Sequence, residues 1–247
     1  MSITRREQLE KLKECGRIVA KALRAMAAAV CPGVTTAELA AIGSKVLAEH
    51  GARSSPPLVY GFPGDVCISV NDEVVHGIPD GRVLQASDVV KLDLTAEKDG
   101  YHTDSAITVQ VPPVSNTANN LTRCVERAFR QSLTAARAGS SVREIGRAVE
   151  REVRRRGFHV IRELGGHGIG RTIHEPPSVP NFPDASNHAR LTEGLVLTIE
   201  PIIAAGTSHV VLDADNWTLR TVDGSLAAHY EHTLVITQGE PILLTWM

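Results

Sequence analysis

One helix pair in this chain can be laid on another at an offset of 106 residues, and no other feature constrains the fold as much. Gly33 falls on Gly139, Thr35 on Ser141, Glu38 on Glu144, Leu39 on Ile145 and Gly51 on Gly157, so start signal, core position and stop signal recur together. Upstream, Ala22 falls on Ala128 and Leu23 on Phe129. Leu9, Leu12, Gly16, Val19, Leu23, Met26 and Val30 recur at steps of three and four, which predicts a first helix running to about Cys31-Pro32. Thr35-Thr36-Ala37-Glu38 then reads as a capping box, hydroxyl and carboxylate each satisfying a free backbone donor, and opens a helix that ends near Gly51. The second pair is expected at Leu121 to Arg137 and Val142 to Arg156. Val- and Ile-rich runs read as strands: VCISV, DVVKLDLT and YHTDSAITVQV after the first pair, LVLTIEP and HTLVIT after the second. Two halves, about 9–115 and 116–240, thus predict one α+β unit over 1–247 with an interface between them.

Composition narrows the function classes. Apolar residues make up 43% and charged residues 22%, with a mean hydropathy of −0.05, which excludes disordered and membrane-spanning classes. A net charge of −2 provides no global field to gather nucleic acid or anionic lipid. Arg151-Glu152-Val153-Arg154-Arg155-Arg156 is a local basic run that reads first as a solvated helix face and second as a transient contact with ribosomal RNA. Cys15, Cys31, Cys67 and Cys124 form no C-x-x-C pair, which argues against a zinc ribbon or disulfide framework and for a reducing cytoplasm. The charged N-terminus is unlike a signal peptide.

Carboxylates abut the apolar strands. Asp93 lies inside Val89-Val90-Lys91-Leu92-Asp93-Leu94, and Asp104 follows the turn residues Glu97-Lys98-Asp99-Gly100. A hairpin turning near Lys98-Asp99 would set the two nearly opposite one another, where carboxylates either protonate or share a cation; turn-flanking surface aspartates are the alternative. Glu200 closes one apolar strand before Pro201 and Glu231 opens another, and the offset sets Glu200 almost where Asp93 stands in the first half. Exposed edge residues are the alternative here too. His167 is the only reaching side chain in Gly165-Gly166-His167-Gly168-Ile169-Gly170, which favours a ligand over a core histidine. His76 and His174, taken singly, read as turn histidines, and positions 50, 102, 159, 188, 209, 229 and 232 show no functional arrangement. Four carboxylates and an imidazole would suit two divalent transition ions and a hydrolytic chemistry.

These segments resemble the type I methionine aminopeptidases over nearly the whole chain: NDEVVHGIP around His76, KLDLTAEKDGYHTDSA around Asp93 and Asp104, GGHGIGRTIHE around His167 and His174, TIEP at Glu200 and YEHT at Glu231. The 26-residue step from His174 to Glu200 leaves no room for the insertion of the type II subfamily. The resemblance implies a pita-bread fold, with internal pseudo-two-fold duplication and an antiparallel sheet core flanked by helix pairs. It implies two divalent ions, manganese, iron, cobalt or zinc, with Asp93 on one, His167 and Glu200 on the other, and Asp104 and Glu231 bridging. It implies that Glu200 also moves the proton, that His174 holds the scissile carbonyl, and that His76 contacts the amide nitrogen. The implied substrates are nascent polypeptide N-termini that carry initiator methionine before a small residue, and the protein is taken as a monomer. Altered N-terminal residue or X-Pro specificity, or a non-catalytic peptide- or ribosome-binding relative, are the competing implications. Phe62, Cys67 and Trp217 match methionine-pocket positions, whereas Val59 and Ile173 stand where relatives commonly carry aromatic residues, so an altered pocket is expected.

Overall fold

Leu12, Cys15, Val19, Leu23 and Met26 form one buried stripe along α1 (Arg6–Ala29), and this stripe sets the helix on the sheet. The structure is a computed structural model and describes residues 1–246. The capping box at the start of α2 (Thr36–Glu49) forms as expected: Glu38 N donates to Thr35 Oγ1 at 3.1 Å and Thr35 N to Glu38 Oε2 at 2.8 Å. A short helix, α3 (Ser55–Tyr60), was not anticipated; its prolines fall in the first turn, where a missing N–H costs nothing, and Gly61 ends it at φ 71°. In the second pair, α4 (Asn116–Ser132) starts five residues before the expected Leu121, because Ser115 caps a polar first turn that has no apolar period. A 3-10 turn, Leu133–Ala135, leads on to α5 (Val142–Arg155).

The sheet is antiparallel. In the nine-stranded sheet, strands 53–54, 89–98, 101–110, 231–235, 196–199, 165–168 and 175–180 lie side by side in that order, with 67–70 and 242–243 added on their neighbours. The helix pairs pack against it: Met26, Leu39, Leu92 and Leu94 share one apolar cluster, Phe129, Ile145, Leu197 and Leu234 another. The duplication is written in hydrogen bonds. Gly33 N donates to Leu84 O and Leu84 N to Val34 O, as Gly139 N donates to Leu191 O and Leu191 N to Ser140 O. After each pair the chain turns back alike, with Ala52 N on Leu47 O and Phe158 N on Val153 O.

Register departs from expectation at the first hairpin. The turn is Asp99-Gly100, both at positive φ (52° and 78°), the Asp-Gly pairing that a two-residue hairpin prefers. Asp93 therefore lies opposite Ala106 and Asp104 opposite Thr95, so the two aspartates are diagonal neighbours on one face rather than opposite each other. The second half repeats the hairpin with a break. Ile199 pairs with His232 and Ile202 with His229, and the ladder is interrupted between them at Glu200-Pro201, where proline has no N–H to donate. Counting inward from both pairs brings Glu200 opposite Glu231. The central strand pair sets Ala106 against Glu231, so the pseudo-two-fold passes between the halves at that point.

Candidate metal centre and substrate cavity

Strand alternation turns Asp93 and Asp104 to one face of the first hairpin, and the broken hairpin brings Glu200 and Glu231 to the same face across the pseudo-two-fold. His167 comes from the strand Gly165–Gly168, which can approach because Gly166 has no Cβ; one placed there would meet Thr198 O at 2.4 Å. Backbone contacts hold this histidine. Its N–H donates to Thr198 Oγ1 at 3.1 Å, and its Nδ1 donates to Gly168 O at 3.0 Å, which turns the Nε2 lone pair toward Glu200 Oε1, 3.6 Å away. Donor atoms of Asp104, His167 and Glu231 lie within 4.8 Å of one another, as do those of Glu200, His229 and Glu231.

Asp104, Glu200 and Glu231 are 6%, 9% and 1% exposed, so their mutual repulsion is poorly screened. Burial, reinforced by neighbouring carboxylates, pushes Asp93 and Glu231 well above the ordinary carboxylate range. Burial raises Asp104 as well, with His167 and a Thr95 hydrogen bond pulling the other way. Glu200 differs. Burial pushes it up, but His229, His167 and His174 around it outweigh this and hold it below its usual value. Asp104 Oδ1 and Glu231 Oε1 are buried with no hydrogen-bond partner among the described residues. Orphaned carboxylate oxygens beside imidazole nitrogens form a donor set that fits divalent ions.

The cluster floors a cavity of about 340 Å³. Tyr60, Phe62, Cys67, Ile173 and Trp217 form its apolar wall, with Phe62 and Trp217 edge to face at 5.3 Å between ring centres. His76 and His174 also line it; His76 follows strand Glu73–Val75 at φ 59°, and the His174 ring lies 4.0 Å from that of His167. Solvent reaches His174, yet the concave wall and the His167 ring depress its basicity to about 4. Tyr60 Oη lies 2.5 Å from His174 Nδ1. Val59 is a correction: it is 45% exposed and does not line the cavity. One step along a helix turns a side chain by about 100°, so in α3 the neighbouring Tyr60 supplies the aromatic wall instead. Ile173 does line the cavity, 2% exposed.

Among the histidines read as non-functional, His229 lies in the centre, its Nε2 3.5 Å from Glu200 Oε2 and 3.7 Å from Glu231 Oε2. A signal was available: His229 stands two residues before Glu231, the spacing that puts side chains on one face of a strand. His102 and His232, also buried, have structural partners in Ser55 Oγ at 2.9 Å and Thr245 Oγ1 at 2.8 Å.

Residues 10–238 match metallopeptidase family M24. Methionine aminopeptidase 2 of Bacillus subtilis is 44% identical over 247 residues, 99% of either chain, and methionine aminopeptidase 1 of the same organism is 39% identical over 238 residues, 96% of either. The chain belongs to the M24 metallopeptidases. Methionine aminopeptidase from Thermotoga maritima superposes on it with a TM-score of 0.96, at 32% identity and complete coverage of both chains. Prolidase from Pyrococcus furiosus shares the M24 fold at a TM-score of 0.79 and 22% identity, with 99% of this chain covering 65% of that one. This is the pita-bread architecture, and membership implies divalent metal ions, which the orphaned carboxylates above are suited to hold.

Proposed function

We propose that this M24 chain is a methionine aminopeptidase that removes the initiator methionine of nascent proteins whose second residue is small. One observation carries the reading: a single cavity joins a floor of five metal-donor side chains to an apolar wall of the size and softness that a thioether requires. The relatives named methionine aminopeptidase, which match from end to end, support it. Asp93, Asp104, His167, Glu200 and Glu231 would hold two divalent ions drawn from manganese, iron, cobalt or zinc. When bound, such ions activate water and polarise the scissile carbonyl. The chain is proposed to work as one catalytic unit over 1–247, as a cytoplasmic monomer. No helix among the described residues is long and apolar enough to cross a membrane. The basic run on α5 gives little support to a ribosome contact, because Arg155 and Arg156 are both paired with Glu152.

The residues divide the work. Phe62, Cys67, Ile173 and Trp217 take the methionine side chain and exclude water from it. Glu200, held anionic by the imidazoles around it, accepts the proton of the attacking water and returns it to the leaving amide nitrogen, beside which His76 stands. Tyr60 donates its hydroxyl proton to His174 Nδ1, which leaves the ring proton on Nε2 to donate to the carbonyl oxygen as negative charge develops there. Tyr60→Phe keeps the wall and removes this donor, so kcat is expected to fall about tenfold with KM little changed, the value of one hydrogen bond felt in the transition state. Steady-state release of methionine from a tripeptide checks it, and an unchanged kcat would leave Tyr60 as wall alone.

The function itself is tested with Met-Ala-Ser, Leu-Ala-Ser and Ala-Pro-Ser, using metal-free protein reloaded separately with manganese, cobalt, iron and zinc. Release of methionine alone is expected, at least tenfold over leucine, since a shape-matched pocket discriminates by about 1–3 kcal/mol. Comparable leucine release, or X-Pro cleavage, would mean that Ile173 and Tyr60 have redirected the pocket. Metal binding without any cleavage would replace the reading with that of a peptide-binding protein.

A further inference from the structure

His229 is 1% exposed, and neither ring nitrogen has a hydrogen-bond partner among the described residues. A buried imidazole with two idle nitrogens is costly unless something else occupies one of them. Its Nε2 faces Glu200 Oε2 at 3.5 Å and Glu231 Oε2 at 3.7 Å, beyond the range of a good hydrogen bond. Two donors on one ion, at bonds of about 2.0–2.2 Å and angles near 90–120°, stand roughly 2.8–3.8 Å apart. His167 and Glu200 show the same spacing, 3.6 Å.

The pseudo-two-fold gives an independent argument. In the first half Asp104 lies opposite Thr95, two residues beyond Asp93; in the second, His229 lies opposite Ile202, two residues beyond Glu200. His229 is therefore the counterpart of Asp104, and points at the centre from the other side of the axis. Its backbone is clamped on both sides by Thr108, which accepts from His229 N at 3.0 Å and donates to His229 O at 2.8 Å, so the ring is delivered from a rigid element.

We propose that His229 is a further ligand of the metal centre, binding through Nε2 the ion that Glu200 and Glu231 hold. The proposal rests on the reading of this cluster as a metal centre. It gives the site a second imidazole, and with it a bias toward the nitrogen-preferring transition ions over magnesium or calcium.

X-ray absorption at the cobalt edge, on protein loaded with two equivalents of Co²⁺, counts imidazole ligands directly. His229→Gln is expected to show one imidazole fewer per protein than the native chain, with the affinity for Co²⁺ in calorimetric titration weakened by about tenfold or more. His229→Asp, which installs the residue type found at the counterpart position, serves as a second variant should the first not fold; it too is expected to lose one imidazole. An unchanged imidazole count in the folded variant would overturn the ligand role while leaving the metal centre intact. Failure of the native chain to bind Co²⁺ would overturn both.

Discussion

Replacing Asp104 by Asn is expected to lower methionine release by about three orders of magnitude or more. The side chain is 6% exposed and its Oδ1 has no partner, so apart from a Thr95 hydrogen bond the fold makes little use of its negative charge. The backbone around it remains anchored, since Asp104 N donates to Thr233 Oγ1 at 2.8 Å and Asp104 O accepts from the same hydroxyl. Asn keeps the shape and removes one anion from a site that needs them to hold divalent ions. In metal-free protein the sign reverses. There Asp104 is one of several carboxylates crowded together with raised proton affinity, so Asn relieves repulsion and should raise the melting temperature. Loss of turnover with a gain in metal-free stability separates a ligand from a residue needed for folding. Turnover within tenfold of the native chain would remove Asp104 from the ligand set.

Chelation is expected to lower the melting temperature by about 10 °C at neutral pH: an ion present at roughly a thousand times its Kd contributes about 4 kcal/mol, and a domain of this size shifts by about 2–4 °C per kcal/mol. The loss should deepen as pH rises. Asp93, Glu231 and Asp104 are raised, first by burial and then, for Asp93 and Glu231, by the charges of Asp104 and Glu200, so the folded metal-free chain keeps protons that the unfolded chain has released. Their contribution is present below the ordinary carboxylate pKa of about 4 and is lost as pH climbs through the raised values. His76, His174 and His232 work in the opposite sense, each lowered chiefly by burial, and their pH dependence fades by about pH 7.5, a unit above the ordinary imidazole value. Glu200, held low, titrates beneath the window. Thermal unfolding followed from about pH 5 to 8.5, with and without metal, should therefore show a gap between the two melting temperatures that widens as pH rises, the histidine contributions being common to both. A gap that stays level or narrows would show that the carboxylates are not forced together.

Local signals were enough for much of this molecule. The helix pairs, their caps and the duplication are legible because a cap is a contact over three residues and a buried helix face repeats every three or four. Asp93, Asp104, His167, Glu200 and Glu231 could be singled out because carboxylates inside apolar strands, and one histidine among glycines, conflict with local propensity and so point to function. Side-chain direction was harder. Val59 and Tyr60 differ by one step on a six-residue stretch too short for any period to show, so only the formation of α3 decided which of them faces the cavity. The register of the first hairpin lay in the Asp99-Gly100 pair, a local cue for a turn centred one residue later than Lys98-Asp99, which shifts the strand pairing by two residues.

What the amino-acid sequence alone determined is the set of elements, their duplication and the inventory of donor residues, since each depends on neighbours close along the chain. Convergence was decided by the tertiary structure. Strands from positions 93, 104, 200 and 231 meet on one face only because the two hairpins join across the central pair at Ala106 and Glu231, a contact between residues 125 apart. That pairing also turns His229 from one histidine among several into the counterpart of Asp104, a role set by symmetry between distant strands that no window of sequence contains.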